Sequence, residues 1–264
     1  MARTIALCNQ KGGVGKTTTA FHLARAGVLA GRRVLLVDAD PQGNATAAAA
    51  REPVEDTQIG LADAMSERTD ESLREVTVPG IWDGLDIAPT SGTMLEGVRD
   101  ELVIGGTGRE YRMREQIKKL QADYDLILID CAPSLDQLTI NGLVAADSVL
   151  VVTQSKQFSA NGIEKLLATI DGVRSYYHDD LGIAGVLVNQ HEENTVSGRT
   201  WLGELTEAVE ARGIAVLAPP IPKKVVVSDT VEASIGLDEW GSADATVLGE
   251  VFAKHLAAIE GAML

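Results

Sequence analysis

Short, wholly apolar runs alternate along the chain with longer segments whose apolar residues recur at helical spacing. The runs predict strands at Thr4–Cys8, Val34–Val37, Leu85–Ala88, Leu126–Ile129, Ser148–Thr153, Ile183–Val188 and Ile214–Ala218. Several are apolar at every position rather than at alternate ones, which suits strands covered on both faces of a parallel sheet. The segments between them predict helices at Lys16–Ala30, Tyr111–Gln121, Gly162–Arg174, Leu202–Arg212 and Ala245–Ile259. Repeated βαβ units of this kind predict an α/β fold: a doubly wound, mostly parallel sheet with helices on both faces, in three layers. The acidic stretch from Arg51 to Trp82 leaves the rhythm without looking like an independent unit, and residues 1–264 read as one domain.

Charge narrows the choice of partners. The chain carries 38 acidic and 23 basic residues, a net charge of −15. Bulk attraction to nucleic acid has the opposite sign, so any DNA contact has to come from a local patch. A hydrophobic share of 45% with 23% charged residues excludes a disordered or fibrous chain. Cys8 and Cys131 are too few for a disulfide framework and fit a reducing compartment. The four histidines (His22, His178, His191, His255) form no metal-ligand spacing with them. The opening MARTIALCNQKGG lacks the apolar core and cleavage site of a signal peptide. No apolar run reaches the length of a membrane span. A cytoplasmic protein is expected.

In doubly wound sheets ligands bind beyond the carboxyl ends of the strands, and three such positions carry chemistry. After the first strand comes Asn9-Gln10-Lys11-Gly12-Gly13-Val14-Gly15-Lys16-Thr17-Thr18, followed at once by a helix. That is the context of a phosphate-binding P-loop, whose glycines let backbone N–H groups turn around a phosphate at the positive end of a helix. Lys16 would reach the β- and γ-phosphates, and the Thr17 hydroxyl would complete a Mg²⁺ sphere. The second strand ends in Asp38-Ala39-Asp40-Pro41-Gln42-Gly43-Asn44. A carboxylate there can hold a Mg²⁺-bound water or orient an attacking one, although an aspartate before proline also caps turns. The strand Leu126–Ile129 runs into Asp130 in the Walker B arrangement, where the carboxylate holds Mg²⁺ through water. Many buried strands end in aspartate; beside a P-loop the signal becomes specific.

Two letters depart from the general P-loop: Gln10 stands where its first glycine would be, and Lys11 adds a second lysine. The run Lys-Gly-Gly-Val-Gly-Lys-Thr-Thr resembles the deviant Walker A motif of the ParA/MinD family of ATPases. The resemblance implies a P-loop NTPase with ATP and Mg²⁺ as cofactors and an ATP-dependent homodimer. In that dimer Lys11 is the signature lysine that reaches the nucleotide of the opposite subunit. Asp-x-Asp-Pro-Gln-Gly-Asn is similar to the family's switch I, which makes Asp40 the residue positioning the hydrolytic water, with Asp38 supporting the magnesium site. Asp130-Cys131-Ala132-Pro133-Ser134 resembles switch II. By the same resemblance Lys11, Lys16 and Asp40 are catalytic, residues Lys11 through Thr18 bind nucleotide, and Thr17, Asp38 and Asp130 serve the metal. Asn189 and Pro222 would contact adenine, although Asn189 fits an ordinary loop or capping role equally well.

Ile-Pro-Lys-Lys-Val-Val-Val-Ser-Asp-Thr resembles the chromosome-partition branch, in which basic residues of this loop and of an upstream Arg-Thr pair bind DNA without sequence preference. Arg199, Lys223 and Lys224 stand in those places, and scattered solvated charges are the alternative. Arg109, Arg112, Arg114, Lys118 and Lys119 form a second basic cluster, whose spacing suits a solvated helix face. The C-terminal segment Val247–Leu264 holds Lys254 as its one Lys or Arg, against Glu250 and Glu260, too little charge for a MinD-like membrane helix. A cluster-carrying relative would need more suitable thiolates than Cys131 supplies. No helix-turn-helix precedes the P-loop, so the short partition ATPases match best. The expectation is a plasmid- or chromosome-partition ATPase that dimerises on ATP and binds nonspecific double-stranded DNA, the alternative being a MinD-like membrane-surface or other cellular-cargo positioning ATPase. The former would hydrolyse ATP, answer to a ParB-like centromere-binding partner, avoid membranes and be nucleoid-associated while ATP-bound.

Overall fold

The apolar runs assemble into one eight-stranded sheet. The structure is a computed structural model and describes residues 2–155 and 160–262, so the last two residues of the segment Val247–Leu264 lie outside it. Along the chain run β1 (Arg3–Cys8), α1 (Lys16–Leu29), β2 (Val34–Ala39), α2 (Asn44–Ala49), α3 (Leu61–Met65), α4 (Leu73–Val76), β3 (Val78–Pro79) and β4 (Leu85–Ala88). Then follow α5 (Met94–Ile104), a 3₁₀ turn (Arg109–Tyr111), α6 (Arg112–Lys118), β5 (Leu126–Cys131), α7 (Gln137–Ala145), β6 (Ser148–Gln154) and α8 (Ala160–Tyr176). The chain continues through β7 (Gly182–Asn189), α9 (Val196–Glu210), β8 (Val216–Leu217), α10 (Val225–Glu232) and α11 (Ala243–Gly261). The strand order is β3-β4-β2-β5-β1-β6-β7-β8, and β3 alone runs antiparallel to its neighbour.

Successive side chains of a strand point to opposite faces, and both faces are covered. Ile5, Leu7, Val34, Leu36, Leu126 and Leu128 pack beneath α1, α2 and α11 through Phe21, Ala45 and Phe252. Ala6, Cys8, Leu35, Val37, Ile127 and Ile129 pack on the other face, against Leu61, Leu102, Met113, Leu143 and Ile170. This double coverage is why the central strands are apolar throughout. Gly27 sets how closely α1 approaches the sheet, because a Cβ there would lie 2.9 Å from Val34 Cγ2 and 3.1 Å from Leu126 Cδ2. The acidic stretch 51–82 stays on the common core: Leu61, Ala62, Met65, Leu73 and Val76 are buried in it.

Several expectations need correction. The strand expected at Ile214–Ala218 pairs only over Val216–Leu217. The helix expected from Leu202 begins at Val196, where Thr195 Oγ1 accepts the Gly198 amide at 2.9 Å and caps it. The helix expected over Tyr111–Gln121 is the 3₁₀ turn followed by the shorter α6. Arg112 is not on a solvated face: its side chain is 10% exposed and pairs with Glu101 at 2.5 Å and Glu67 at 2.6 Å. Arg109 likewise turns inward, to Glu110 and the Val103 carbonyl, whereas Lys118 and Lys119 are exposed.

Candidate functional site

The carboxyl ends of β1, β2 and β5, three adjacent strands of the sheet, converge on the loop between Asn9 and Lys16. Two anchors shape that loop. The buried Asn9 donates through Nδ2 to the Val152 carbonyl at 2.7 Å, and its Oδ1 accepts the Lys11 amide at 2.9 Å. Gly15 takes φ +87°, and a Cβ there would fall 2.1 Å from Asn189 Nδ2, so only glycine fits. Its carbonyl accepts the Thr19 amide at 2.9 Å and starts α1. The buried Lys16 opens that helix, while Lys11, Gly12 and Gly13 are exposed. The Lys11 ammonium has no hydrogen-bond or ion-pair partner among the described residues.

Asp38 and Asp130 face each other across β2 and β5 and are fully buried. Thr17 donates its hydroxyl to Asp130 Oδ2 at 2.6 Å, while Asp130 Oδ1 is buried with no hydrogen-bond partner among the described residues. Burial pushes the Asp130 carboxyl up to about 8, the charge of Asp38 adding to it against the Thr17 bond and Lys16. Burial likewise raises Asp38, to about 6, against its hydrogen bonds from Thr46 and Asp40. A buried carboxyl pair that resists double ionisation, with one oxygen orphaned, is a pocket that a divalent cation would ionise and neutralise. With the Thr17 hydroxyl it offers the hard oxygen donors that Mg²⁺ takes alongside waters and phosphate oxygens.

Asp38 has a second occupation. Its Oδ2 accepts both the amide and the hydroxyl of Thr46, each at 2.7 Å, and its Oδ1 accepts the Asp40 amide at 3.3 Å. Thr90 closes the ring, donating its hydroxyl to the Asp38 carbonyl and its amide to Thr46 Oγ1. The turn bearing Asp40 is thereby clamped at both ends. Asp40 is 8% exposed, and its Oδ1 accepts the Gln42 amide at 3.0 Å.

An open cleft of about 580 Å³ lies over the loop, lined by Gly12 through Thr18 apart from Val14, by Asp40 and Gln42, and by Gln190 and Glu232. An adjoining pocket of about 220 Å³ brings together Thr18, Asn189, Gln190 and Pro222 from three separate parts of the sequence. Asn189 is buried, its Oδ1 accepting the Gln190 amide at 2.8 Å. Sequence reasoning missed Thr46, inside α2, and Thr90, Gln154 and Gln190, which carried no signal beyond their places at or just past strand ends. Cys131 lies beside Cys8 on the buried side of the site; that neighbour and burial hold its thiol well above the usual range.

Of the basic residues, Arg199 and Lys223 flank one turn: Arg199 donates to the Glu193 carbonyl at 2.9 Å, and Lys223 pairs with Glu192 at 2.8 Å. Lys224 pairs with Asp244 at 3.1 Å. All three are exposed. No helix among the described residues is long and apolar enough to cross a membrane.

The fold and this site define a P-loop nucleotide-binding protein. The model of the AAA domain family matches residues 2–183. The sporulation initiation inhibitor protein Soj of Bacillus subtilis is 36% identical over 231 residues, 87% of each chain. The chromosome partitioning protein ParA of Caulobacter vibrioides is 37% identical over 239 residues, 86% of this chain and 83% of that one. The solved structure of cobyrinic acid a,c-diamide synthase from Mycobacterium smegmatis with bound ADP and magnesium is 33% identical, covers 95% of this chain and 92% of that one, and superposes with a TM-score of 0.79. The chain belongs to the ParA/Soj family of partition ATPases, with ATP and Mg²⁺ as its cofactors.

Proposed function

We propose that this chain, as one domain over residues 1–264, is an ATP hydrolase that segregates DNA by switching its DNA affinity with nucleotide. The observation that carries this reading is Lys11: an exposed ammonium on the rim of a phosphate loop, with no partner among the described residues of its own chain. ATP bound at Lys16, Thr17 and Thr18, with adenine between Asn189 and Pro222, joins two protomers face to face. Each lends Lys11 to the other's triphosphate, where a cation stabilises charge on the transferring phosphoryl oxygens. Asp40, held by the Asp38–Thr46–Thr90 ring, orients the attacking water. Asp130 and Thr17 would hold Mg²⁺ with support from Asp38, and the ion would supply neutralisation of the phosphate charge.

Dimerisation acts on DNA through valence. Lys223 and Lys224 sit in exposed ion pairs, which are worth little, so a DNA phosphate can replace Glu192 or Asp244. Two phosphate contacts per protomer become four in the dimer, giving a salt slope of about −3.6 on duplex DNA. Half of that, on a chain of net charge −15, leaves the monomer a poor binder. Hydrolysis, stimulated by a ParB-like DNA-bound partner, then releases the DNA; the protein is cytoplasmic and nucleoid-associated in its ATP state.

The test is nucleotide-dependent retention on nonspecific duplex DNA. Asp40→Ala with ATP accumulates on DNA, Lys16→Ala is not retained, and Lys223→Glu/Lys224→Glu dimerises without being retained. Equal retention of Asp40→Ala and Lys16→Ala removes Asp40 from the catalytic role, and undiminished binding by the double glutamate variant removes the patch.

A further inference from the structure

Two glutamines that no motif points to grip the phosphate loop from the ends of β6 and β7, on the side of β1 away from β5. Gln154, the last residue of β6, donates through Nε2 to the Gly13 carbonyl at 2.8 Å and to Gln190 Oε1 at 2.7 Å. Gln190, just past β7, donates to the same Gly13 carbonyl at 3.3 Å. Gln190 sits at φ +50°, a left-handed conformation unusual for a residue with a side chain. The Asn189 side chain holds it there through the Gln190 amide. Strained residues of this kind persist where the surroundings over-determine them, and they cluster at ligand sites. Gln190 also lines both the cleft over the loop and the pocket beside Pro222.

The consequence follows from the geometry of a trans peptide, in which C=O and N–H point in opposite directions. Two side-chain amides on the Gly13 carbonyl fix the rotation of this peptide and direct the Val14 N–H away from Gln154 and Gln190. Val14 is 1% exposed, and its N–H has no hydrogen-bond acceptor among the described residues. A buried N–H without a partner is costly unless a ligand meets it. Gly13 itself is at φ +70°, where glycine rotates freely, so without a brace this peptide could turn over and present its carbonyl oxygen to the phosphates.

We propose that Gln154 and Gln190 are positioning residues that lock the Gly13–Val14 peptide in its anion-binding orientation. The ligand class is the diphosphate or triphosphate group itself, independent of the base. This deepens the reading of the loop as the phosphate site and rests on it, but needs neither the dimer nor DNA.

The experiment is calorimetric titration of the full chain with Mg²⁺-ADP and with Mg²⁺-pyrophosphate, alongside steady-state kinetics with ATP. Gln154→Met keeps length and volume while removing the donor. The expected result is a rise of about tenfold in Kd for ADP and pyrophosphate alike, the size expected for losing one or two hydrogen bonds. KM for ATP rises by a similar factor while kcat moves by less than about twofold, and the melting temperature without ligand is unchanged. Gln190→Met gives a smaller rise of the same kind, its bond being longer, and serves if Gln154→Met does not fold. Unchanged Kd for both ligands overturns the brace, as does a loss confined to ADP, which would make the glutamines base contacts. Failure of the wild type to bind pyrophosphate would instead refute the reading of the loop.

Discussion

Asp130 stores a penalty that a single substitution releases. Its carboxyl titrates near 3.8 in the unfolded chain and at about 8 in the folded one. Across that interval the native state holds a proton that the unfolded state has lost, so stability falls as pH rises. At about 1.36 kcal/mol per pH unit, the loss between pH 5 and pH 8 comes to about 4 kcal/mol. Asp130→Asn keeps an oxygen to accept the Thr17 hydroxyl and removes the ionisation. Without nucleotide, the stability of the variant relative to wild type should therefore climb by about 4 kcal/mol from pH 5 to pH 8. Urea denaturation across this pH range, with chelator present, measures it. If Asp130 holds the metal as proposed, Mg²⁺-ADP should erase the advantage by stabilising wild type far more than the variant. A difference that stays constant from pH 5 to pH 8 would refute the reasoning.

The remaining predictions concern the framework. His22 is buried with Nε2 on the Val227 carbonyl at 3.0 Å, and burial lowers its pKa from 6.5 to about 4. A histidine kept neutral on folding loses stability as pH falls from 6.5 to 4, so His22→Gln should flatten that limb of the urea-midpoint profile by about 3 kcal/mol. Arg112→Met leaves Glu101, itself 12% exposed, without its buried partner. It should cost about 3 kcal/mol in denaturation experiments, with most of that restored by adding Glu101→Gln. Gly15→Ala forces a side chain onto φ +87° and into Asn189. Calorimetry should find no ADP binding at millimolar concentration, whereas binding as tight as wild type would mean that the loop is not the phosphate site.

What the sequence reveals depends on how local the physics is. The phosphate loop is written in consecutive letters because glycine conformation, a helix N-terminus and a lysine are local requirements, and β1 and β5 are legible because burial on both faces leaves no polar residue in their centres. α7 went unseen for the same reason in reverse: Leu138 through Ala145 are buried except Ile140, so no polar face marks the helix. The first turn of α9 was hidden by Ser197 and Gly198, which read as loop until Thr195 is seen to cap them. Arg112 was misjudged because its acidic partners, Glu67 and Glu101, come from distant segments. Gln154, Gln190 and Thr90 act on residues 141, 177 and 52 positions away, and spacing along a chain carries no trace of that.

The account turns on two protomers sharing triphosphates through Lys11, and the mass of the ATP-bound protein tests it most directly. Light scattering on Asp40→Ala with ATP and Mg²⁺ should give about 56 kDa, twice the 27.9 kDa of one chain. Lys11→Ala added to that background should return it to 27.9 kDa while ATP still binds. A double variant that remains a dimer, or an Asp40→Ala protein that stays monomeric when saturated with ATP, would contradict the account.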